Sequence, residues 1–227
     1  MRNRRNVFRN TGLYGNDFIG AFSRSNDEVT LVGGNPRGSG EKIISDTLKT
    51  RIVEMMLNGS DMVGIYSVMN SKTLILPEMT YSSEVAYLKS ILPKIEIEIL
   101  ETNLNALGNN ILVNDKIAII NPDYSIAEGK IIGEMLDVEV VSMQIGGFGT
   151  VGANNILTNK GIVMNNRVSE EEENILKDIF GNVSQSTADT GSLSIGLCTT
   201  ANSNGIVAGS STTGFELANM TEGLGLE

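Results

Sequence analysis

The chain has 227 residues, with 17 lysine and arginine residues against 27 aspartate and glutamate residues, a formal net charge of −10 and no histidine. This acidic balance argues against a general nucleic-acid clamp, because phosphates are neutralised by clustered positive charge. The absence of histidine excludes Ser/His/Asp and Cys/His nucleophile pairs, the usual zinc ligand sets and the commonest general base.

The N-terminus is the basic part of the chain, through Arg2, Arg4, Arg5 and Arg9. The residues that follow do not form an apolar signal core, and no window reaches the roughly 18 apolar residues of a membrane span. The single cysteine, Cys198, excludes an intrachain disulfide and fits a reducing compartment. We therefore expect a soluble, cytoplasmic protein that does not contact a membrane.

A repeat of 44 residues runs through the chain. An aliphatic residue followed by glycine recurs at this spacing, with the glycines at Gly20, Gly64, Gly108, Gly152 and Gly196. A large apolar residue stands 28 positions after each of them, at Leu48, Leu92, Leu136, Phe180 and Leu224. Five such units account for 220 of the 227 residues. Units this short bury too little apolar surface to fold alone, so they must share a core.

Each unit is predicted to open with two strands joined by a tight turn. The turns are polar residues six or seven positions after the glycine: Asn26-Asp27, Asn70-Ser71, Asn114-Asp115, Asn159 and Asn202-Ser203. Short apolar runs follow, rich in β-branched residues: 29–32, 73–76, 117–120, 162–164 and 206–208. We place the residues directly after each glycine, Cys198 among them, in the first strand.

A helix and a closing strand complete the unit. Three units carry a Ser or Thr followed three positions later by Glu, the capping box of a helix start, in the pairs Ser125 and Glu128, Ser169 and Glu172, and Thr213 and Glu216. The predicted buried stripes are Ile131, Met135 and Leu136 in the third unit and Ile175, Leu176 and Ile179 in the fourth. Closing strands follow at 94–100 and 137–141, with Ile95, Ile97 and Ile99 on one face.

The order strand, strand, helix, strand therefore predicts one α/β domain of five pseudosymmetric units over residues 1–227. Approximate unit bounds are 13–57, 58–101, 102–145, 146–189 and 190–227. The fifth unit ends before its closing strand, whereas residues near 6–12 precede the first unit without an assignment. We predict that these N-terminal residues close the fifth unit, so that the ring closes and leaves no long sheet edge exposed.

Several segments match one family closely. They are 104–109 (LNALGN) with Asn114-Asp115 and 121–123 (NPD), 150–154 (TVGAN) with 158–161 (TNKG), and 187–191 (TADTG) with 201–205 (ANSNG) and 212–217 (TTGFEL). The chain resembles archaeal and eukaryotic translation initiation factor six, the ribosome anti-association factor, over nearly its whole length. That resemblance implies the pentein fold, an α-β propeller of five such units in a closed ring.

The resemblance implies a monomeric factor that is not an enzyme and needs no cofactor or metal. Such a factor binds the large ribosomal subunit on its subunit-joining face, near the sarcin-ricin loop, prevents association with the small subunit, and is linked to large-subunit biogenesis. The acidic body favours a basic ribosomal protein as the main contact. Any contact with rRNA would fall to Arg2, Arg4 and Arg5, which could equally be a solubilising tail.

Pseudosymmetry predicts where the partner docks, because equivalent loops before the glycines should lie at one end of the ring. The candidate ribosome-binding residues there are Met62, Ala106, Leu107, Gly108, Asn109, Thr150 and Val151. Asn109 is the best single candidate, since an exposed amide pairs with backbone or with a basic partner. The alternatives stay open: the glycines can serve close packing at the axis, and Asn109 can cap a turn.

Three other readings compete with a ribosome factor. Residues 147–152 match G-x-G-x-x-G, but a strand and a turn follow where a dinucleotide site needs a helix. Cys198 invites a pentein enzyme acting on guanidino substrates, although such enzymes pair the cysteine with a histidine that this chain lacks. A ring scaffold for some other protein is the third possibility.

Overall fold

The computed structural model describes residues 7–34 and 39–226. Five sheets of three strands each make up the fold in this part of the chain. Within it, no helix combines the length and the apolar character needed to span a membrane.

The two opening strands of each sheet form the predicted hairpin. The first strands are β2 (Ser23–Ser25), β5 (Val68–Met69), β8 (Ile111–Val113), β11 (Ile156–Leu157) and β14 (Thr199–Asn202). The second strands are β3 (Val29–Gly33), β6 (Thr73–Pro77), β9 (Ile117–Ile120), β12 (Ile162–Asn165) and β15 (Gly205–Ala208). All five pairs are antiparallel. The second strands are almost completely buried, which explains their apolar runs.

A helix then leads to the closing strand, which pairs in parallel with the second strand. The helices are α1 (Gly40–Leu48), α3 (Ser82–Ile91), α5 (Ile126–Leu136), α7 (Glu170–Phe180) and α9 (Gly214–Gly223). The three predicted capping boxes are confirmed at the starts of α5, α7 and α9. Four closing strands are β4 (Arg51–Met55), β7 (Glu96–Leu100), β10 (Glu139–Ser142) and β13 (Val183–Ser186).

The fifth sheet takes its closing strand from the other end of the chain. β1 (Phe8–Asn10) pairs in parallel with β15, and Phe8 lies opposite Ile206. The strand order is β1-β15-β14, so residues from both ends of the sequence hold one sheet together.

Short helices replace the start of each predicted first strand. They are a 3₁₀ turn (Ile19–Ala21), α2 (Val63–Tyr66), α4 (Leu107–Asn110), α6 (Val151–Asn154) and α8 (Ile195–Cys198). The placement of Cys198 in a strand was therefore wrong, since it ends α8. A single turn of helix has no detectable apolar period, which is why the pattern did not indicate it.

The predicted helix stripes also need a correction. Ile131 is 43% exposed and Ile175 is 46% exposed, whereas Ile132, Leu136 and Leu176 are fully buried. Ile132 and Leu136 are four residues apart and lie one above the other on the face that meets the sheet. Ile131 lies about 100° further round the helix and therefore faces water.

The units share their cores, as short repeats must. One apolar cluster joins Leu31 of β3 and Val53 of β4 to Leu74 of β6 and Leu88 of α3, so it spans the first and second units. A further cluster joins Val207 of β15 to Leu13 and Ile44 of the first unit. Each sheet therefore has a neighbouring unit packed against it.

The repeat glycines lie where neighbouring units come closest. A methyl group added to any of these glycines would overlap the carbonyl oxygen of the repeat glycine one unit earlier: Gly64 would meet Gly20, and Gly108 would meet Gly64. The series returns to its start, because a methyl group on Gly20 would overlap the carbonyl oxygen of Gly196. The five sheets themselves stay separate, so the predicted ring is not a closed sheet. The contacts that run round the axis are made by the short helices and the hairpin turns.

Candidate functional site

The ring has two chemically different ends. We call the side that carries the hairpin turns the turn end: Asn26-Asp27, Asn70-Ser71, Asn114-Asp115, Asn159 and Asn202-Ser203. We call the opposite side the helix end, defined by the residues directly before the short helices and the loops that precede them: Phe18, Met62, Ala106, Thr150 and Ser194. The opening strands separate the two ends.

The turn end uses its polar groups internally. Asp115 accepts a hydrogen bond from the backbone N–H of Ser71 at 2.7 Å, and its own N–H donates to Asn159 Oδ1 at 2.9 Å. Asn159 Nδ2 donates to both Asp115 and Asp27, and Asp27 accepts from the N–H of Ser203 at 2.7 Å. Because these side chains already form hydrogen bonds to neighbouring units, the turn end serves to hold the units together.

The helix end, by contrast, exposes large apolar side chains. None of the five residues before the short helices makes a side-chain cap on its helix. Phe18 is 43% exposed and Met62 is 40% exposed. Thr150 is exposed as well, and its hydroxyl donates to Asn154 Oδ1 at 2.7 Å.

The predicted site residues divide into two groups. Leu107 and Val151 have no exposed surface, and Gly108 is buried against the backbone of the neighbouring unit. These three serve packing at the axis and present no side chain to a partner. The other four reach the surface of the helix end: Met62, Thr150, and the half-buried Ala106 and Asn109.

Asn109 stands out among its equivalents. The corresponding residues of the other units are Ala21, Ile65, Ala153 and Leu197, all apolar. Its side-chain Oδ1 has no hydrogen-bond partner within the described part of the chain. The turn-capping role belongs to the next residue, since Asn110 Nδ2 donates to the carbonyl of Ala106 at 2.9 Å and Asn121 Nδ2 donates to Asn110 Oδ1 at 2.8 Å.

Sequence reasoning missed two more exposed apolar residues at the same end. Tyr14 is 46% exposed and Met56 is 45% exposed, and both belong to the loops that lead to Phe18 and Met62. Several large apolar side chains exposed at one end of a fold are typical of an interaction surface. Their types alone would have placed them in a core, so only their exposure identifies them.

Acidic residues lie near Tyr14. Its hydroxyl donates to the carbonyl of Gly33. Burial, followed by the negative charges of Asp61, Glu41 and Glu54, raises the pKa of Tyr14 to about 12, because each charge opposes the phenolate. The first and second units thus present apolar side chains inside a negative field.

The environment of Cys198 does not activate its thiol. The residue is fully buried, with Ser192 Oγ at 3.8 Å from its sulfur. Burial, followed by the nearby carboxyl of Asp189, raises the pKa of Cys198 to about 12. An activated cysteine needs a lowered pKa.

No cluster of three or more potential metal ligands of the His, Cys, Asp and Glu types occurs among residues 7–34 and 39–226. The predicted rRNA contacts, Arg2, Arg4 and Arg5, lie outside the described residues.

The architecture matches solved structures of one fold class. The crystal structure of the N-terminal domain of ArgZ, a substrate-bound mutant of an arginine dihydrolase from the ornithine-ammonia cycle in cyanobacteria, superposes with a TM-score of 0.52. The match is 14% identical in sequence and covers 87% of this chain and 74% of that one. The chain is thus a pentein-fold protein, and at this identity the likeness concerns the fold alone.

Sequence comparison is more specific. The eIF-6 family matches residues 8–223. Translation initiation factor 6 of Pyrococcus horikoshii is 35% identical over 213 residues, which cover 92% of this chain and 94% of that protein. The protein of the same name from Methanosarcina mazei is 35% identical over 220 residues, covering 96% and 99%. The chain belongs to the eIF-6 family, a family of translation initiation factors.

Proposed function

We propose that this protein binds the large ribosomal subunit on its joining face and prevents association with the small subunit. The observation that carries this proposal is the match to the eIF-6 family over residues 8–223, together with the apolar side chains exposed at the helix end. A bound protein at the joining face would act by occupying the volume that the small subunit needs.

The helix end is the better docking surface for two reasons. Its apolar members, Tyr14, Phe18, Met56 and Met62, gain free energy when a partner removes them from water. Asn109 is half-buried at the same end, where an amide side chain can pair with backbone or side-chain groups of a ribosomal protein. The turn end has its polar groups already paired.

Charge supports a basic ribosomal protein as the main contact. The chain carries a net charge of −10, and Glu41, Glu54 and Asp61 lie near Tyr14. This field attracts a basic protein and repels the phosphates of bare rRNA. The segment with Arg2, Arg4 and Arg5 is the part of the sequence suited to a phosphate contact near the sarcin-ricin loop.

We also propose that the protein acts in the cytoplasm as a monomer without catalytic activity. The pentein enzyme reading requires a reactive cysteine, and the raised pKa of Cys198 works against it. A ring scaffold for a different protein would use the same helix end, and only the identity of the bound partner separates it from a ribosome factor.

Co-sedimentation with purified archaeal large subunits tests the proposal. The wild-type protein is expected to pellet with large subunits and to reduce the joining of small subunits added afterwards. Met62→Arg and Asn109→Arg, both at the helix end, should abolish pelleting, because each adds a positive charge where a basic partner docks.

Ser71→Arg is the matched control, since it places the same side chain on an exposed residue of the turn end. It should bind like the wild type. If the wild-type protein stays in the supernatant at micromolar concentration and modest salt, the ribosome proposal fails and the scaffold reading takes its place. If Ser71→Arg abolishes binding while Met62→Arg and Asn109→Arg do not, the docking face is wrong.

A further inference from the structure

Methionine is unevenly placed between the interior and the surface of this protein. The sequence contains ten methionines, of which Met1 lies outside the described residues. Two of the other nine are exposed, Met56 at 45% and Met62 at 40%. The remaining seven are buried or half-buried: Met55, Met69, Met79, Met135, Met143, Met164 and Met220. Both exposed thioethers belong to one loop of the helix end, the loop between β4 and α2.

Hydrogen bonds hold this loop in place. The backbones of Leu57 and Ser60 exchange two hydrogen bonds of 2.9 Å, so the residues between them form a tight turn. The N–H of Asn58 donates to Glu84 Oε2 at 2.9 Å, which ties the turn to the start of α3. Met56 directly precedes the turn, and Met62 directly precedes α2. The fold itself therefore sets the exposure of both side chains.

No other junction of the repeat carries methionine at both positions. The equivalents of Met56 are Gly12, Leu100, Gln144 and Ala188, and those of Met62 are Phe18, Ala106, Thr150 and Ser194. A thioether suits a docking face because the side chain is flexible and polarizable. It is also open to oxidation, and Cys198 does not compete for the oxidant, since burial and its raised pKa make the thiol inert.

Hydrogen peroxide is the oxidant that such a site admits. It is small and uncharged, so the acidic character of the protein does not repel it. The methionine sulfur attacks one peroxide oxygen, the O–O bond breaks, an S=O bond forms and water leaves. Sulfur loses two electrons and peroxide gains them, so the step needs no further reactant. The rate at each methionine follows its exposure.

We propose that Met56 and Met62 form a peroxide-sensitive modification site, and that their oxidation to sulfoxides weakens binding of the partner at the helix end. This inference rests on the proposed ribosome binding through that end. A sulfoxide is polar, so a partner that covers it removes its oxygen from water. Each covered sulfoxide that finds no donor should weaken binding by about tenfold.

Peptide mass spectrometry after brief treatment of the folded chain with dilute hydrogen peroxide tests the site. Met56 and Met62 should be oxidised well before the other seven methionines. The Tm of protein oxidised at these two positions should stay close to that of the untreated protein, because exposed side chains contribute little to the core. Equal rates of oxidation at exposed and buried methionines would overturn the inference.

Co-sedimentation with large subunits tests the consequence, under conditions in which only Met56 and Met62 are oxidised. The treated wild type should bind about tenfold or more weakly than the untreated protein. Methionine sulfoxide reductases A and B together should restore binding, since each enzyme reduces one sulfoxide epimer.

Two variants locate the effect, each compared with its own untreated form. The double variant Met56→Leu with Met62→Leu should show no loss on treatment. Met135→Leu is the matched control, because this half-buried methionine lies in the last turn of α5, where Asn70 of the turn end donates to the carbonyl of Leu136. It should show the same loss as the wild type.

The outcomes separate this inference from the function on which it rests. If the wild type with both sulfoxides binds as tightly as the untreated protein, or if the double variant loses as much binding as the wild type, the inference is overturned and the ribosome proposal stands. If the untreated wild type does not pellet, the ribosome proposal fails and the inference fails with it. Should the double variant not bind even before treatment, reversal of the wild-type loss by the reductases decides.

Discussion

Replacing the repeat glycine Gly152 by alanine tests how the units meet at the axis. The added Cβ would overlap the carbonyl oxygen of Gly108 and would lie 2.7 Å from the carbonyl oxygen of Ile111. Ordinary carbon contacts require about 3.5 Å. Both obstacles are backbone atoms of a neighbouring unit, so no side chain can rotate away to make room.

The expected loss of stability follows from two opposing effects. Overpacking a rigid site costs typically 1–3 kcal/mol, and backbone obstacles place Gly152→Ala near about 3 kcal/mol. Alanine regains up to about 1 kcal/mol because it loses less conformational entropy than glycine in a helix. The net loss is about 2 kcal/mol or more, which lowers Tm by about 4–8 °C in a domain of this size.

Gly214→Ala provides the matched control. Gly214 begins α9, and a Cβ there meets no atom within 4 Å. Its Tm in a calorimetric or circular-dichroism melt should stay the same or rise slightly. If Gly152→Ala were as stable as Gly214→Ala, the close approach of the units at the axis would be refuted.

Three further predictions concern single groups. Burial is the main cause that raises the pKa of the Asp189 carboxyl above its ordinary value, so ionisation of this group destabilises the fold as pH rises. Relative to the wild type, Asp189→Asn should therefore gain stability in urea titrations as pH rises from about 4, the ordinary value, through the raised pKa, and a difference that stays constant with pH would contradict this. Cys198, with its pKa raised to about 12, should resist alkylation by iodoacetamide at pH 8 until the protein unfolds, whereas rapid labelling of the native protein would revive the enzyme reading. Ser169→Ala removes the hydroxyl that accepts a hydrogen bond from the N–H of Glu172 at 3.2 Å. The loss of this helix cap should lower the free energy of unfolding by about 1 kcal/mol, and an unchanged Tm in a thermal melt would contradict the prediction.

The repeat explains why the second strands and the capped helices were predictable. A strand buried on both faces requires an apolar run, and a helix start with free N–H groups favours Ser or Thr with Glu three residues later. Both requirements are local, so they recur at the same offset in several units. Ser125, Ser169 and Thr213 therefore identified three helix starts correctly.

The candidate site was only partly predictable. The offset before each glycine located the helix end and its exposed members Met62 and Thr150. It could not show that Leu107 and Val151 are buried or that Tyr14 and Met56 are exposed, because apolar residues of the same type occupy both environments. Nor could it show that Asn110, rather than Asn109, caps the turn.

The 44-residue period was enough to establish five units, their order of elements and a fold in which no unit is independent, since these follow from local patterns and from the small size of each unit. Tertiary packing alone established the one-turn helices at the axis, the burial of Leu107 and Val151, and the exposure of Tyr14 and Met56. Those features depend on contacts between residues far apart in the chain, and the environment of a side chain exists only once its neighbours from other units are in place.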